Sequence, residues 1–380
     1  MDPYVSNLST KGDNLYFTLN NTNVSIANAL RRVILTDIPT VVFKTFPYNE
    51  NLVNITENTT KFNNEIIKQR FSCIPIHIKD TTIELSDYEV ILKKENSSDV
   101  IEYATTQDFQ IKNIKTEKML TTSQVQQIFP PNNITKQYID IVRLQPKLSE
   151  SLPGEKFEMT AKLTIGTAKE NSSYNVVSTC SYRNTLDKAA IDEEWKRIER
   201  DLLKKKINKE DIEEERKNWL LLEAKRIFIN NSFDFVVESI GIYENNEIII
   251  KACENIISRL SNIKDEEGNK YYEVRKSDTT IQNCYDIELK NEDYTIGKIL
   301  EYIIYQKYFA NEEKLSFVGF QKKHPHDDNS YIRIAFKVNE TESLVRNIIV
   351  DSCNILIDIY KKIGRTFTEK IIEEPDVVTE

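Results

Sequence analysis

The sequence predicts an α+β protein, and three observations predict it. Asn14 to Asn20 alternates apolar and polar residues, with Leu15, Phe17 and Leu19 on one face, the period of a half-buried strand. Val24 to Asp37 changes to helical spacing, with Ile26, Leu30, Val33 and Ile34 on one stripe. At the far end Thr341 to Ile363 repeats that spacing, carrying Leu344, Ile348, Ser352, Ile355, Ile359 and Ile363 along one side. Each end of the chain has a strand feeding an amphipathic helix, and each finishes on a long amphipathic helix. The two ends are therefore expected to pack as a pseudo-symmetric pair.

The first helix is two-sided. Pro39 closes it, because the residue before a proline avoids the helical region. Opposite the apolar stripe lie Asn28, Arg31 and Arg32, at i, i+3 and i+4. Arginine is enriched in protein interfaces, so this face reads as an interface, with plain solvation of helix arginines as the competing reading. Thr40 to Phe46 reads as a strand, and Asn64 to Phe71 as a short helix that leaves through the extended Cys73 to Ile76.

From Asp80 to Gln145, short strands at Thr82 to Leu85, Tyr88 to Leu92 and Ile139 to Val142 alternate with polar turns, which predicts a β-rich insertion. Glu155 to Gly166 alternates again, and Tyr174 to Tyr182 is a further strand. Leu186 to Arg226 is highly charged, with Trp195, Ile198 and Leu202 at i, i+3 and i+7 and Trp219 and Leu220 later. It reads as two amphipathic helices broken near Asn208, with a solvated outer face. Phe233 to Gly241 is a strand, and Glu247 to Leu260 a helix with Ile248, Ala252, Ile256 and Leu260 in register.

Ser261 to Asn269 is polar and turn-rich, and is the best linker in the chain. The pattern then starts afresh. Asn283 to Leu289 is a strand, and Thr295 to Tyr308 a helix carrying Ile296, Ile299, Leu300, Ile303 and Ile304. Leu315 to Lys322 and Tyr331 to Val338 are strands around the turn Pro325 to Asn329, and the long helix closes the chain. This last third is a sheet with helices on one face.

Composition narrows the function. The chain has 380 residues, enough for two or three domains, and its 39% hydrophobic content supports a packed core rather than disorder. The net charge of -9 opposes nonspecific binding to a DNA backbone, which needs clustered Lys and Arg. Cys73, Cys180, Cys253, Cys284 and Cys353 lie far apart, an odd set without zinc spacing, and are read as reduced, buried thiols. The N-terminal residues have neither the basic nor the apolar region of a signal peptide, and no run of 18 apolar residues predicts a membrane span.

The search for chemistry is brief. No compact carboxylate cluster is present for metal-assisted catalysis. Asp327 and Asp328 adjoin His324 and His326, but all four sit in one hairpin turn, where Asp serves the backbone. His77 is the third and last histidine, with no Ser or Cys beside it in a nucleophile motif. Only 8 glycines occur, and neither GxGxxG nor GxxxxGK[ST] is among the patterns they form.

Several segments resemble a known family, in order along the chain. Asn23 to Thr40, NVSIANALRRVILTDIPT, resembles the first-helix signature of alpha-type RNA polymerase subunits: the bacterial alpha N-terminal domain and the third subunit of eukaryotic polymerase II (archaeal D). Asn64 to Ile76 resembles the next block of that family, a helix with an Arg followed by an Ile-Pro exit. Leu163 to Tyr182 resembles its glycine-then-HAKW-type stretch, in the degenerate form Lys169 to Tyr174. Phe235 to Gly241 and the helix after it are similar to the closing strand and dimerisation helix. The last third resembles the eleventh polymerase II subunit (archaeal L): Tyr294 to Leu300 is similar to its H-T-L-G-N-x-L motif, and Phe317 to Phe320 with His324-Pro325 to its F-x-G-Y…H-P hairpin.

The resemblance implies two alpha-type dimerisation units fused in one polypeptide, as in nucleocytoplasmic large DNA viruses. The first unit would comprise 1–40 and 232–262, an insertion domain 41–231 with the charged segment 186–226, and the second unit 270–380. Fusion replaces a bimolecular association by an intramolecular one. The implied role is a non-catalytic assembly platform for transcription that docks the second-largest subunit and a small zinc-binding subunit, with catalytic magnesium on the largest subunit. Asn28, Arg31, Arg32, Gly166 and Lys169 are the expected contacts to the second-largest subunit. Ile248, Ala252, Ile256, Gly297, Ile299, Leu300, Ile303, Leu344, Ile348 and Ile355 are the expected dimer-like core. Many relatives carry a cysteine cluster in the insertion that this chain lacks, so neither metal nor other cofactor is expected. DNA is expected to be contacted only through the complex, with no membrane, in the viral factory of the host cytoplasm, with the virion as a further candidate location and the nucleus as the alternative. A DNA-binding regulator and an enzyme are the competing classes.

Overall fold

The computed structural model describes residues 2–147, 149, 153–265, 268 and 270–373. The chain opens with β1 (Tyr4–Lys11), β2 (Asn14–Asn20) and α1 (Val24–Thr36). Next come β3 (Thr40–Val42), β4 (Val53–Asn58), α2 (Asn64–Ser72), β5 (Tyr88–Glu95), β6 (Glu102–Thr105) and β7 (Gln110–Asn113). Then follow α3 (Thr122–Ile128), β8 (Asp140–Leu144), β9 (Lys156–Lys162), β10 (Thr164–Gly166) and β11 (Val177–Leu186). Helices α4 (Lys188–Lys204) and α5 (Lys209–Leu221) lead to β12 (Phe228–Ser239) and α6 (Asn245–Lys264). The last stretch is β13 (Tyr272–Lys276), β14 (Cys284–Leu289), α7 (Tyr294–Ile304), β15 (Leu315–Gln321), β16 (Ser330–Phe336) and α8 (Glu342–Glu373). Helix and sheet are thus mixed along the chain, an α+β composition.

The chain divides into two compact units: Met1–Val33, Thr179–Glu238 and Asn245–Glu380 form the first, Ile34–Ser178 and Ser239–Glu244 the second. In the first, two four-stranded sheets have the orders β1-β2-β12-β11 and β13-β14-β16-β15. In each, a hairpin, a helix, a second hairpin and a final helix follow one another along the chain. Two connections break the repetition. α7 and its π-helical turn lead directly into β15, whereas α1 reaches β11 only after the segment 34–178 that makes up most of the second unit. β15 reaches β16 through a short turn, whereas β11 reaches β12 through α4 and α5.

Aromatic residues at strand positions build the first sheet's inner face. Phe17 pairs with Phe235 across β2 and β12, and their rings stack 4.9 Å apart. Phe367 of α8 meets Phe17 edge-on at 5.1 Å, and the Tyr360 hydroxyl donates to the Ile26 carbonyl at 3.1 Å. The last helix therefore reaches the first sheet and the first helix. It also packs along α6, where Gly364 and Cys253 let the two helices approach. Burying side chains such as Tyr360 and Phe367 stabilises this arrangement by roughly 1.5–3 kcal/mol each.

The second unit has its own core. A four-stranded sheet of order β4-β9-β5-β7 and the ribbons β3–β10 and β6–β8 enclose Phe43, Phe71, Phe109, Phe129 and Phe157. Neighbouring rings in this cluster approach to 4.8 Å, between Phe109 and Phe129.

Several elements differ from the sequence reading. Of the five thiols read as buried, four are, but Cys73 is exposed, because it caps the C-terminus of α2 where the chain leaves the helix. Thr82 to Leu85 is not a strand: Asp80 Oδ1 accepts from the Thr82 amide and hydroxyl, a local turn that outcompetes sheet pairing. The strand expected over Glu155 to Gly166 is split at Leu163 into β9 and β10, which join different sheets. Helix α7 ends at Ile304 and continues as a π-helical turn, Tyr305–Asn311. On α8 Leu344 and Ile355 are only half-buried, while Val345, Cys353, Leu356 and Tyr360 join Ile348, Ile359 and Ile363 inside. A helix packed by more than one neighbour buries a broad face, so the buried set exceeds a single stripe.

The units also fall differently from the expected domains. The charged helices belong with the first unit, because β11 and β12, which they connect, are sheet neighbours. The expected first and last units cluster together as one. Of the expected linker, Glu266, Glu267 and Asn269 lie outside the described residues, as does the stretch from 374 onward.

Candidate functional site

The polar face of α1 is anchored from within its own unit. Asn23 caps the helix by accepting from the Ser25 amide at 2.9 Å. Arg31 donates from Nε and Nη2 to Asn28 Oδ1 at 3.0 and 2.9 Å, which holds the guanidinium over the helix surface. Among the described residues no carboxylate pairs with Arg31. Beneath it Cys180 is buried, and burial pushes its thiol up to about 12 despite the nearby Arg31 charge.

Arg32 does something different. Its Nε donates to Thr295 Oγ1 at 2.9 Å and its Nη2 to Asp293 Oδ2 at 3.1 Å. Asp293 is also the cap of α7, where its Oδ1 accepts from the Thr295 amide at 2.8 Å. One carboxylate thus both starts α7 and grips α1. A groove of about 350 Å³ lies here, lined by Ser25, Asn28, Arg32, Tyr182, Tyr294 and Lys298 among others.

The start of α7 is tightly built. Gly297 lies against the Phe320 ring, which Tyr294 meets edge-on at 5.1 Å and Lys298 covers at 5.6 Å. Glu301 accepts from the Phe320 amide at 2.9 Å and from Lys298 Nζ at 2.6 Å. Ile299, Leu300 and Ile303 of this helix are buried, as are Ile248, Ala252 and Ile256 of α6 and Ile348 of α8.

Gly166 and Lys169 belong to the second unit. Gly166 pairs with Thr40 across β10 and β3, and is buried. A Cβ there would stand 2.9 Å from Tyr174 Cδ2 and 3.0 Å from Val42 Cγ2, so its role inside the unit is close packing. Lys169 is exposed, and its amide donates to the Thr36 carbonyl at 2.8 Å. In the same unit Lys44 pairs with Glu50 at 2.5 Å, and that carboxylate raises the lysine's pKa. The five expected contact residues therefore split between the units: Asn28, Arg31 and Arg32 in one, Gly166 and Lys169 in the other.

His324 and His326 lie tilted by 36° to one another at the β15–β16 turn, ring centroids 5.1 Å apart, and the His326 amide donates to His324 Nδ1 at 3.2 Å. Among the described residues no group of three or more His, Cys, Asp or Glu is arranged to hold a metal ion. No described helix is long and apolar enough to cross a membrane.

Sequence reasoning missed the partners of Arg32, although an Asp before a helical run followed by Thr is a cap signal that marks position 293. It also missed Phe46 and Tyr48, which flank Pro47 and are 73% and 89% exposed.

Two four-stranded sheets of the same strand order, with α6 packed on α8, form the unit that carries the polar face of α1. The model of the RNA polymerase Rpb3/Rpb11 dimerisation domain matches residues 16–260, and the chain belongs to that family of alpha-type polymerase subunits. It is similar to a protein of Acanthamoeba polyphaga mimivirus assigned as a DNA-directed RNA polymerase subunit, 23% identical over 92% of this chain and 88% of that one. It is also similar to the DNA-directed RNA polymerase subunit Rpo3 of Pyrococcus furiosus, 26% identical over 66% of this chain and 92% of the relative. Over 74 residues, 20% of this chain and 21% of the relative, it is 40% identical to subunit 3B of RNA polymerases IV and V of Arabidopsis thaliana.

Proposed function

We propose that this chain is the non-catalytic assembly platform of a viral DNA-directed RNA polymerase, with a third-subunit-like and an eleventh-subunit-like unit joined in one polypeptide. The observation that carries the reading is the repeated order of the two sheets, whose final helices α6 and α8 pack together. On this reading the two sheets and their helices are the pseudo-symmetric pair, and the unit holding 34–178 is the insertion domain. The similarity to the mimivirus protein over 92% of this chain supports the viral assignment.

The platform docks the second-largest subunit and a small zinc-binding subunit, and leaves metal chemistry to the largest. It needs no cofactor of its own and meets DNA only through the complex. It works in the viral factory of the host cytoplasm. Of the α1 residues Arg31 is the better docking contact, because Arg32 is engaged by Asp293 and Thr295.

The test is co-expression with the second-largest subunit of the same genome, followed by pull-down. The wild-type chain is expected to retain that subunit, and Arg31→Glu to lose it while staying folded. Retention by both leaves the platform and removes Arg31 from its contacts. Failure of the folded wild type to retain the subunit overturns the reading.

A further inference from the structure

A groove of about 430 Å³ opens on the second unit between the loop after β4, helix α2 and strand β8. Its floor is the buried Ile141 and Val142. Three cations stand around it: Lys61 from the loop, Arg70 from α2 and Arg143 from β8. All three are exposed, and among the described residues no carboxylate pairs with any of them. Arg70 is placed by one bond, from Nη2 to the Asp140 carbonyl at 2.6 Å.

Two aromatic rings complete the rim. Tyr103 lies directly opposite Arg143 across β6 and β8, so ring and guanidinium leave the ribbon on one face. Phe62 follows Lys61 in the loop, and both rings are exposed. Asn58 braces that loop. Its Nδ2 donates to the Phe62 carbonyl and to Asn64 Oδ1, each at 2.8 Å, and its Oδ1 accepts from the Thr60 amide and hydroxyl at 3.0 and 2.7 Å. Two carboxylates also line the groove. Glu155 accepts from the Gln145 amide at 2.8 Å, and Asp140 is exposed.

Each of these groups recognises a different part of one ligand. Guanidinium and ammonium groups without carboxylate partners bind phosphate oxygens. Exposed rings beside such cations give bases a stacking surface. A carboxylate repels phosphate but accepts from a sugar hydroxyl, as acidic side chains do from ribose. Phosphate, base and ribose hydroxyl together are one unit of RNA. The volume falls within the roughly 300–1,000 Å³ of sites that enclose a small group, which suits nucleotides taken one at a time rather than a duplex. The cationic excess is local, three groups against two, and so coexists with a net charge of -9 that opposes binding elsewhere on the chain.

We propose that this groove holds single-stranded RNA, with phosphates on Lys61, Arg70 and Arg143, a base stacked on Tyr103 and a 2′-hydroxyl donating to Asp140. That such a strand is at hand rests on the polymerase reading above, since that enzyme releases single-stranded RNA.

Fluorescence anisotropy of a short labelled RNA of mixed sequence, titrated with the purified full chain, tests this. Lys61→Ala/Arg143→Ala is expected to lose affinity about tenfold or more at low salt, and to lower the slope of log Kd against log salt by about 1.4 for the two cations. Tyr103→Leu is expected to lose about fivefold or more with the slope unchanged, because it removes stacking and no charge. The wild type is expected to bind RNA more tightly than the same sequence as DNA, and Asp140→Ala to bind the two alike. Lys118→Ala, at an exposed lysine elsewhere in the unit, is expected to bind as the wild type does, and all variants to melt with it. No binding by the folded wild type, an equal loss in Lys118→Ala, no loss in Tyr103→Leu, or equal affinity of the wild type for RNA and DNA overturns the proposal. So does displacement of the RNA by an equal concentration of adenosine monophosphate, which would assign a free nucleotide, or of polyglutamate, which would assign an acidic peptide. None of these outcomes touches the platform reading, which is decided by capture of the second-largest subunit.

Discussion

Replacing Gly297 with alanine tests whether the start of α7 is as closely built as its geometry says. A Cβ at this position would lie 1.9, 2.4 and 2.6 Å from Cε2, Cδ2 and Cζ of Phe320. Carbon atoms prefer about 3.5–4.0 Å, so the ring must withdraw by roughly 1.5 Å. Its backbone cannot follow freely, because the Phe320 amide is held by Glu301 and the strand is paired to β16. Withdrawal forfeits the edge contact with Tyr294 and the Lys298 cation over the ring. Overpacking of this kind costs about 1–3 kcal/mol, and the helix gains up to about 1 kcal/mol from losing a glycine. The net expectation is a loss of about 1–2 kcal/mol. A local readout suits a local clash better than global unfolding, which in a chain of two units averages over both. Amide hydrogen exchange over α7 and β15 reads the local free energy instead. The decisive comparison repeats Gly297→Ala in a Phe320→Ala background, where the clash is gone and only the helix gain remains. There the substitution should protect α7 rather than expose it. If Gly297→Ala has the same sign in both backgrounds, Phe320 is not what keeps this position a glycine.

Three further outcomes follow from the same geometry. Arg32→Ala and Asp293→Ala should couple by about 0.5–1 kcal/mol in a double-mutant cycle, modest because Arg32 is 38% exposed, and hydrogen exchange at the first turn of α7 should rise in both. Arg333 donates to both oxygens of Asp286 at 2.6 and 2.8 Å, and this pairing lowers the aspartate pKa from its ordinary value. A depressed carboxylate stabilises the fold above its unfolded pKa and loses that contribution as pH falls through the folded one. Asp286→Asn should therefore flatten the loss of stability below about pH 4, measured by thermal melting against pH. Maleimide at neutral pH should label the exposed Cys73 rapidly, while Cys180, Cys253 and Cys353, pushed up to about 12 by burial, stay unlabelled until the protein unfolds, as intact mass would report.

The helices were legible because their apolar spacing is local. Ile26, Leu30, Val33 and Ile34 share a face whatever the rest of the chain does, and all four are buried. The same holds for Ile248, Ala252 and Ile256 on α6. Turn chemistry was harder to weigh: Thr82 to Leu85 has strand-like composition, and one Asp side chain at position 80 decides otherwise. The division into units was least legible. β11 and β12 are neighbours in one sheet but are separated in sequence by two helices, and only sheet pairing assigns those helices to the sheet's unit. Side chains that close the fold across the chain, such as Tyr360 on the Ile26 carbonyl, have no local signature.

Arg31 and Arg32 show where that limit matters for function. In sequence they are equivalent members of one polar face. In the fold, one step of about 100° around the helix separates a guanidinium resting on Asn28 from one bound to the cap of α7. A partner that binds Arg31 meets a group with no carboxylate to displace among the described residues. A partner that binds Arg32 must compete with Asp293, and in doing so would loosen the contact that ties α1 to α7. Substituting both arginines together would therefore confuse a lost docking contact with a loosened platform. Separate substitutions distinguish them: Arg31→Glu should weaken capture of the second-largest subunit without changing exchange at α7, whereas Arg32→Ala should change exchange at α7 whether or not a partner is present.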